Sequence, residues 1–324
     1  MYKRKTIIKR CMLLIMIVCA FMISAVSCAG QTDAVKGPGT SYICTQYPLE
    51  RNGIALHLDC MKKEGSEPER NILLMHGVTY SSHEFDVDYE DYSLVRKLAD
   101  EGYAVWRLDA AGFGQSGEVA DGFMPDSDYV AQDIDAAVQE IVNRTGQNQI
   151  DILGWSWGTV TCSRYAQAHS EHINKLVLYA PIITGVGEYE VTEPFHHNTW
   201  EHAADDFQKD DNGEIDYDIT DPIVVEIFCS NSWHYDRDES PNGGRRDICV
   251  SESTELIDFS KITVPTLIIC GSNDPYLNYD KVNSSLSLLP KGSALEMIEG
   301  GSHVVYIEKS HYKDFQERLL KFLK

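Results

Sequence analysis

Along most of the chain, short unbroken apolar runs alternate with longer stretches in which apolar residues recur every three or four positions. Residues 71–75, 103–109, 149–153, 175–179, 266–270 and 294–298 are of the first kind. Continuous apolarity over so few residues is what a strand needs when helices cover both faces of a parallel sheet. Residues 89–101, 127–145, 158–170 and 310–323 lie between or after those runs and carry the helical period. Ahead of them, residues 41–49 and 54–62 form a predicted antiparallel hairpin around Arg51-Asn52-Gly53, because Asn-Gly favours a two-residue turn. The order of elements predicts an α/β fold, with a mostly parallel central sheet flanked by helices.

The alternation breaks once, at residues 184–258, between the sixth and seventh strand-like runs. At this length the segment is too long for a plain loop. It is therefore read as a cap inserted after the sixth strand, over the carboxyl edge of the sheet, with the core made by residues 41–183 and 259–324. The cap is also where charge collects, with 20 Asp plus Glu against 4 Lys plus Arg, in a chain whose overall balance is −22. A field of that sign repels phosphate backbones, and no local basic patch offsets it, so no nucleic-acid partner is expected. If part of the charge faces the cleft, neutral or cationic substrates are favoured over anionic ones; a solvated outer face is the plainer reading.

The first residues have a different character. Lys3, Arg4, Lys5, Lys9 and Arg10 precede an apolar run over residues 11–26. That pattern reads as an export signal, too short for a membrane span. Ala25-Val26-Ser27-Cys28 resembles a bacterial lipobox, which makes Cys28 the candidate lipid carrier and residues 1–27 the segment removed; plain cleavage near Ala29 is the alternative. Residues 28–40 read as a linker. The product is expected in the cell envelope, held at the membrane by its N-terminal lipid. Export permits disulfides, and Cys44 with Cys60 and Cys229 with Cys249 are the pairs worth testing. Cys162 and Cys270 sit in apolar contexts that suit buried thiols, and no spacing of Cys and His suggests structural zinc.

The chemistry centres on Gly154-Trp155-Ser156-Trp157-Gly158, between a predicted strand and a predicted helix. A sharp strand-to-helix turn lifts a serine hydroxyl clear of the sheet and needs small residues on either side. Serine requires a base, and His303 follows the last strand in Gly300-Gly301-Ser302-His303. The imidazole requires an acid to fix its tautomer, and Asp274 follows the preceding strand in Gly271-Ser272-Asn273-Asp274-Pro275. Asp109 is the runner-up acid. Two backbone amides suit the oxyanion: that of Trp157, and that of Val78 in His76-Gly77-Val78, where His76 is expected to shape the loop.

These pieces, with Asp109-Ala110-Ala111-Gly112-Phe113-Gly114-Gln115-Ser116, resemble the α/β-hydrolase superfamily with a cap domain over residues 41–324. The resemblance implies a serine hydrolase with Ser156, Asp274 and His303 as nucleophile, acid and base, acting through an acyl-enzyme on a carboxylic ester or amide, with no cofactor and no metal. Tryptophan after the serine is similar to the prolyl-type aminopeptidase version of the elbow, whereas Trp155 stands where that group usually has glycine. A non-catalytic surface binding protein on the same scaffold is the alternative of another class.

Two further patterns are weighed against plainer readings. Gly112, Gly114 and Gly117 match a dinucleotide turn, but Asp121, Asp126 and Asp128 would crowd a pyrophosphate. Residues 208–219 hold Asp210, Asn212 and Asp216 but lack the bidentate carboxylate of a calcium loop, so an Asp-Asn-Gly turn is the better reading. Among the aromatics, Trp155, Trp233 and Phe195 are the candidates for lining the substrate pocket.

Overall fold

The computed structural model describes residues 32–37, 40–236 and 238–324. The signal segment and Cys28 lie outside the described residues. Nine strands form one sheet. They are β1 (Thr32–Gly37), β2 (Thr40–Arg51), β3 (Ile54–Lys63), β4 (Arg70–Met75), β5 (Tyr103–Asp109), β6 (Ile150–Trp155), β7 (Ile173–Tyr179), β10 (Thr266–Gly271) and β11 (Ala294–Ile298). The order is β1-β2-β3-β5-β4-β6-β7-β10-β11. The first three strands pair antiparallel and β3 joins β5 the same way, after which every pairing is parallel. The chain therefore leaves β4 toward β5 on one side and returns to β6 on the other. At such a reversal of strand order the carboxyl ends of two neighbouring strands open a crevice, and the register Met75↔Gly154 places the loops after β4 and β6 on either side of it.

Alternate residues of the buried strands feed two cores. Ile72, Leu74, Leu153 and Val177 pack on one face with α1 (Leu94–Asp100) and α8 (Tyr312–Leu323). Leu73, Met75, Ile152 and Leu178 pack on the other with α2 (Ser127–Thr145) and α3 (Trp157–Ala168). The helix boundaries have local causes. In α2, Asp126 accepts the Tyr129 amide at 2.8 Å and Gly146 closes the other end at φ 71°. The predicted helix over residues 89–101 begins instead at Leu94, because Ser93 accepts the Arg96 amide at 3.1 Å and residues before it turn back on themselves. Part of the predicted linker is also structured, since β1 pairs with β2 from Thr32↔Thr45 to Gly37↔Thr40.

The insertion leaves after β7 and returns before β10. Its ends meet: Thr184 bridges Glu255, and the Leu256 amide donates to the Ile183 carbonyl at 2.8 Å. Between them lie a two-stranded ribbon of β8 (Phe195–His197) and β9 (Glu239–Pro241), and the helices α4 (Trp200–Ala204), α5 (Pro222–Asp236) and α6 (Gly243–Ile248). Asp210 turns its Oδ1 to the Asn212 and Glu214 amides at 2.8 and 3.0 Å, which is the Asp-Asn-Gly turn. The remaining helix, α7 (Tyr279–Ser285), precedes β11.

The six described cysteines are free thiols, so neither expected disulfide forms. Cys44 faces Met61 across the β2–β3 ladder and Thr45 faces Cys60, which puts the two thiols on opposite sides of the sheet. Cys229 and Cys249 are buried in different cores. Burial pushes the Cys44 and Cys229 thiols up to about 12, which disfavours the reactive thiolate at neutral pH.

Candidate active site

Ser156 occupies the turn between β6 and α3 with φ 55° and ψ −124°, a conformation costly for a residue with a β-carbon. The sharpness of the turn is made possible by close backbone approach: a β-carbon on Gly158 would lie 2.5 Å from the His76 carbonyl and 2.6 Å from that of Met75. The loop after β4 runs directly against the serine, since a β-carbon on Gly77 would stand 3.1 Å from Ser156 Cβ. His76 is fully buried and donates from Nδ1 to the Gly77 carbonyl at 2.7 Å, while its Nε2 accepts the Ala110 amide at 3.1 Å. Burial lowers its pKa, so the ring is a neutral brace for the loop.

The loops after β10 and β11 bring Asp274 and His303 together. His303 Nδ1 donates to Asp274 Oδ2 at 2.9 Å, and Asp274 Oδ1 also accepts the Tyr276 amide at 3.0 Å. Both residues are about 4% exposed. Burial acts to lower the His303 pKa, but the charge and hydrogen bond of Asp274 outweigh it and hold the imidazole above its ordinary value. The backbone of the histidine is fixed as firmly as its ring. Trp155 Nε1 donates to the His303 carbonyl at 3.1 Å and the Tyr179 hydroxyl to the same oxygen at 2.6 Å. Trp155, in the position before the serine, is therefore both wall and brace.

Ser156 and His303 open into one cavity of about 160 Å³, whose walls also include Val78 and Trp155. Trp157 keeps its side chain in the other core, with Nε1 donating to Ser127 Oγ at 2.8 Å; its backbone amide, first in α3, is among those a helix leaves without an internal partner. The other two expected pocket aromatics are not there. Trp233 is 52% exposed on α5, and Phe195 lines a different hollow beside Gly112 and Asp236. Two acidic residues and an arginine without a motif are in the cavity instead: Glu84, Asp206 and Arg245. Glu84 accepts the Gly77 amide at 3.0 Å, and burial raises its pKa far above the carboxylate range. Burial likewise pushes Asp206 up to about 6, against the pull of His303.

The charge expectation changes with these residues. Of the insertion's acidic side chains, Asp206 is in the cavity, whereas Glu188, Glu190, Asp211, Glu214 and Glu226 are exposed to solvent. These exposed carboxylates agree with a solvated outer face, and a cation, Arg245, also lines the cavity.

Asp109, the runner-up acid, is buried away from the serine cavity and accepts the Ser82 amide and hydroxyl at 2.9 and 2.5 Å and the Gln115 amide at 3.0 Å. With His57 and His83 it forms a group whose ligand atoms lie within 4.8 Å of one another. Its oxygens are already engaged by those donors, and the Gln115 side-chain amide lies 3.3 and 3.0 Å from the two rings. The glycine turn after Asp109 does not open a helix either, since α2 starts only at Ser127.

The parallel sheet, the elbow at the strand reversal and the loops that converge on it define an α/β-hydrolase. The sequence profile of the Hydrolase_4 family, described as serine aminopeptidase S33, matches residues 66–310, and the chain belongs to that family. A candidate non-heme chloroperoxidase of Synechocystis sp. is 29% identical over 267 residues, which is 78% of this chain and 90% of the relative. The fold is similar to a bromoperoxidase of Bacillus anthracis, with TM-score 0.62 and 19% identity over 86% of this chain and 99% of that one. It is similar too to an enol-lactonase of Burkholderia xenovorans, with TM-score 0.61 and 18% identity over 84% and 97% of the two chains. The chain is a hydrolase of the α/β-hydrolase superfamily.

Proposed function

We propose that the chain hydrolyses a carboxylic ester through Ser156, His303 and Asp274. The observation that carries the reading is the His303–Asp274 hydrogen bond of 2.9 Å behind a cavity that the same imidazole shares with the strained serine. Ser156 Oγ adds to the ester carbonyl carbon as its proton passes to His303 Nε2. The carbonyl electron pair moves onto oxygen, where the amides of Val78 and Trp157 receive it; one such donor contributes about 3–4 kcal/mol. Collapse of the adduct breaks the bond to the alcohol, which leaves with the proton from His303. Water then loses a proton to His303, adds to the acyl-serine, and the acid departs as Oγ recovers that proton. Asp274 accepts from His303 Nδ1 throughout and offsets the imidazolium charge.

The test is Ser156→Ala together with labelling by a fluorophosphonate. Turnover is expected to fall by on the order of 10⁴ or more, and the label is expected on Ser156 alone. Near-normal turnover by the variant would rule the mechanism out. Amide cleavage is the second reading, favoured by the family's description and by the two carboxyl groups in the cavity, Glu84 and Asp206. Parallel rates on aminoacyl amides and acyl esters separate the two. We further infer export and lipid attachment at Cys28, on the basic start and apolar run that precede it. A Cys28→Ala protein that still partitioned into detergent with the membranes would overturn that inference.

A further inference from the structure

The serine's cavity contains a cation whose bonded partners are both neutral. Arg245 lies in α6 and enters the cavity from the insertion. Its Nη1 donates to Asn242 Oδ1 at 2.9 Å and its Nη2 to Thr79 Oγ1 at 2.6 Å. Among the described residues it forms no ion pair. A guanidinium carries five donors, so two are spent on neutral oxygens. Burial lowers its pKa, yet an arginine keeps its charge at any working pH. Holding a charge in a partly buried place without a counter-ion is unfavourable, and the deficit is made good when a ligand brings the opposite charge.

The acidic groups of the cavity do not fill that role. Burial pushes Glu84 toward its neutral form, and Asp206, which feels the charges of both His303 and Arg245, makes no ion pair with the arginine among the described residues. The placement of Arg245 is also built rather than incidental. A β-carbon on Gly244 would run into the Trp157 ring, so the glycine lets α6 settle on the indole beside the elbow. The arginine's contact Thr79 is next to Val78, whose amide faces the reacting oxygen in the proposed mechanism. Thr79 itself is held at φ 102°. The fork therefore shares with Ser156 and His303 a cavity of about 160 Å³, which suits a short chain.

We propose that Arg245 reads a carboxylate on the substrate, so that the preferred esters are small and anionic, of the kind formed by one carboxyl of a short dicarboxylic acid. The proposal rests on Ser156 being the nucleophile. Arginine suits the task because its fork meets both oxygens of a carboxylate, and a charged hydrogen-bond pair of this type is worth about 10- to 100-fold in affinity.

The experiment compares the 4-nitrophenyl monoester of glutaric acid with 4-nitrophenyl valerate, of nearly equal size but neutral, after subtraction of the uncatalysed rates. The wild-type chain is expected to prefer the anionic ester by about 10- to 100-fold in kcat/KM. Arg245→Gln is expected to reduce that ratio to within about 3-fold, through KM, and Arg245→Lys to keep part of it. Free glutarate is expected to inhibit the wild type competitively and to lose that effect in Arg245→Gln. Fluorophosphonate labelling of Ser156 reports whether each variant is folded, and inhibition of the wild type by glutarate supports the proposal without any variant. Two results overturn it: no preference in a wild type that labels normally, or an equal fall for both esters through kcat. The second would make Arg245 a positioning residue for Thr79. Absence of labelling in the wild type would instead remove the nucleophile assignment, and this proposal with it.

Discussion

Asp274 touches no substrate in the proposed mechanism, yet it sets the pH at which His303 becomes a base. The native imidazole titrates above its ordinary value of 6.5, because the charge and hydrogen bond of Asp274 outweigh burial. The proposed mechanism needs the neutral ring, so kcat/KM is expected to rise with pH through a midpoint above 6.5. Asp274→Asn should move that midpoint downward and lower kcat by on the order of 10³–10⁴, because the imidazolium loses its counter-charge and the ring its preferred tautomer. A pH–rate profile on both proteins reads the two effects. Glu84 runs the other way. Its pKa is raised in the folded chain, so ionisation costs stability once pH passes the unfolded carboxyl value. Glu84→Gln can still accept the Gly77 amide, and its melting temperature should gain on the wild type as pH rises from 5 to 8. The nucleophile, base and acid candidates were readable from motif and chain order, since each stands in a short Gly-containing turn after a strand. Glu84, Asp206 and Arg245 were not, because nothing around a single acid or arginine says which way it points. Only the Gly243-Gly244 pair beside Arg245 was a usable signal, as a mark of close backbone approach.

At the scale of elements, the parallel strands were legible because burial on both faces demands unbroken apolarity. Strand β1 was not, since Thr32–Gly37 gains its conformation from the β2 edge rather than from its own apolar content. Inside the insertion, aromatic residues were a poor guide to the pocket. Trp233 and Phe228 share α5, but Phe228 is buried and Trp233 is 52% exposed. The elbow makes the sharpest prediction at this scale. Gly158→Ala would drive a methyl group against two carbonyls of the β4 loop, neither of which is free to rotate away. Overpacking of this kind costs about 1–3 kcal/mol, and the strain falls on the Gly77–Val78 segment. The expected outcome is a lower melting temperature together with a loss in kcat larger than the loss in stability explains.

For the whole molecule, a balance of −22 says less about substrate than the insertion's acidity first suggested. Most of that charge is spread on solvent-facing side chains, where salt screens it over about 10 Å at 0.1 M, while Arg245 is inside. The kcat/KM for a cationic ester should therefore change by less than about 2-fold between low and moderate salt. A steep salt dependence for the cationic ester would return the acidic field to the cleft.

The seating of Gly244 on the Trp157 ring joins the insertion to the elbow helix across 87 positions of sequence. In terms of descent, the two cannot drift apart freely. A graft of this insertion onto a relative with another residue after its nucleophile would leave α6 without its seat and the arginine displaced. Exchange of specificity between relatives should therefore succeed only when the insertion and the tryptophan are moved together.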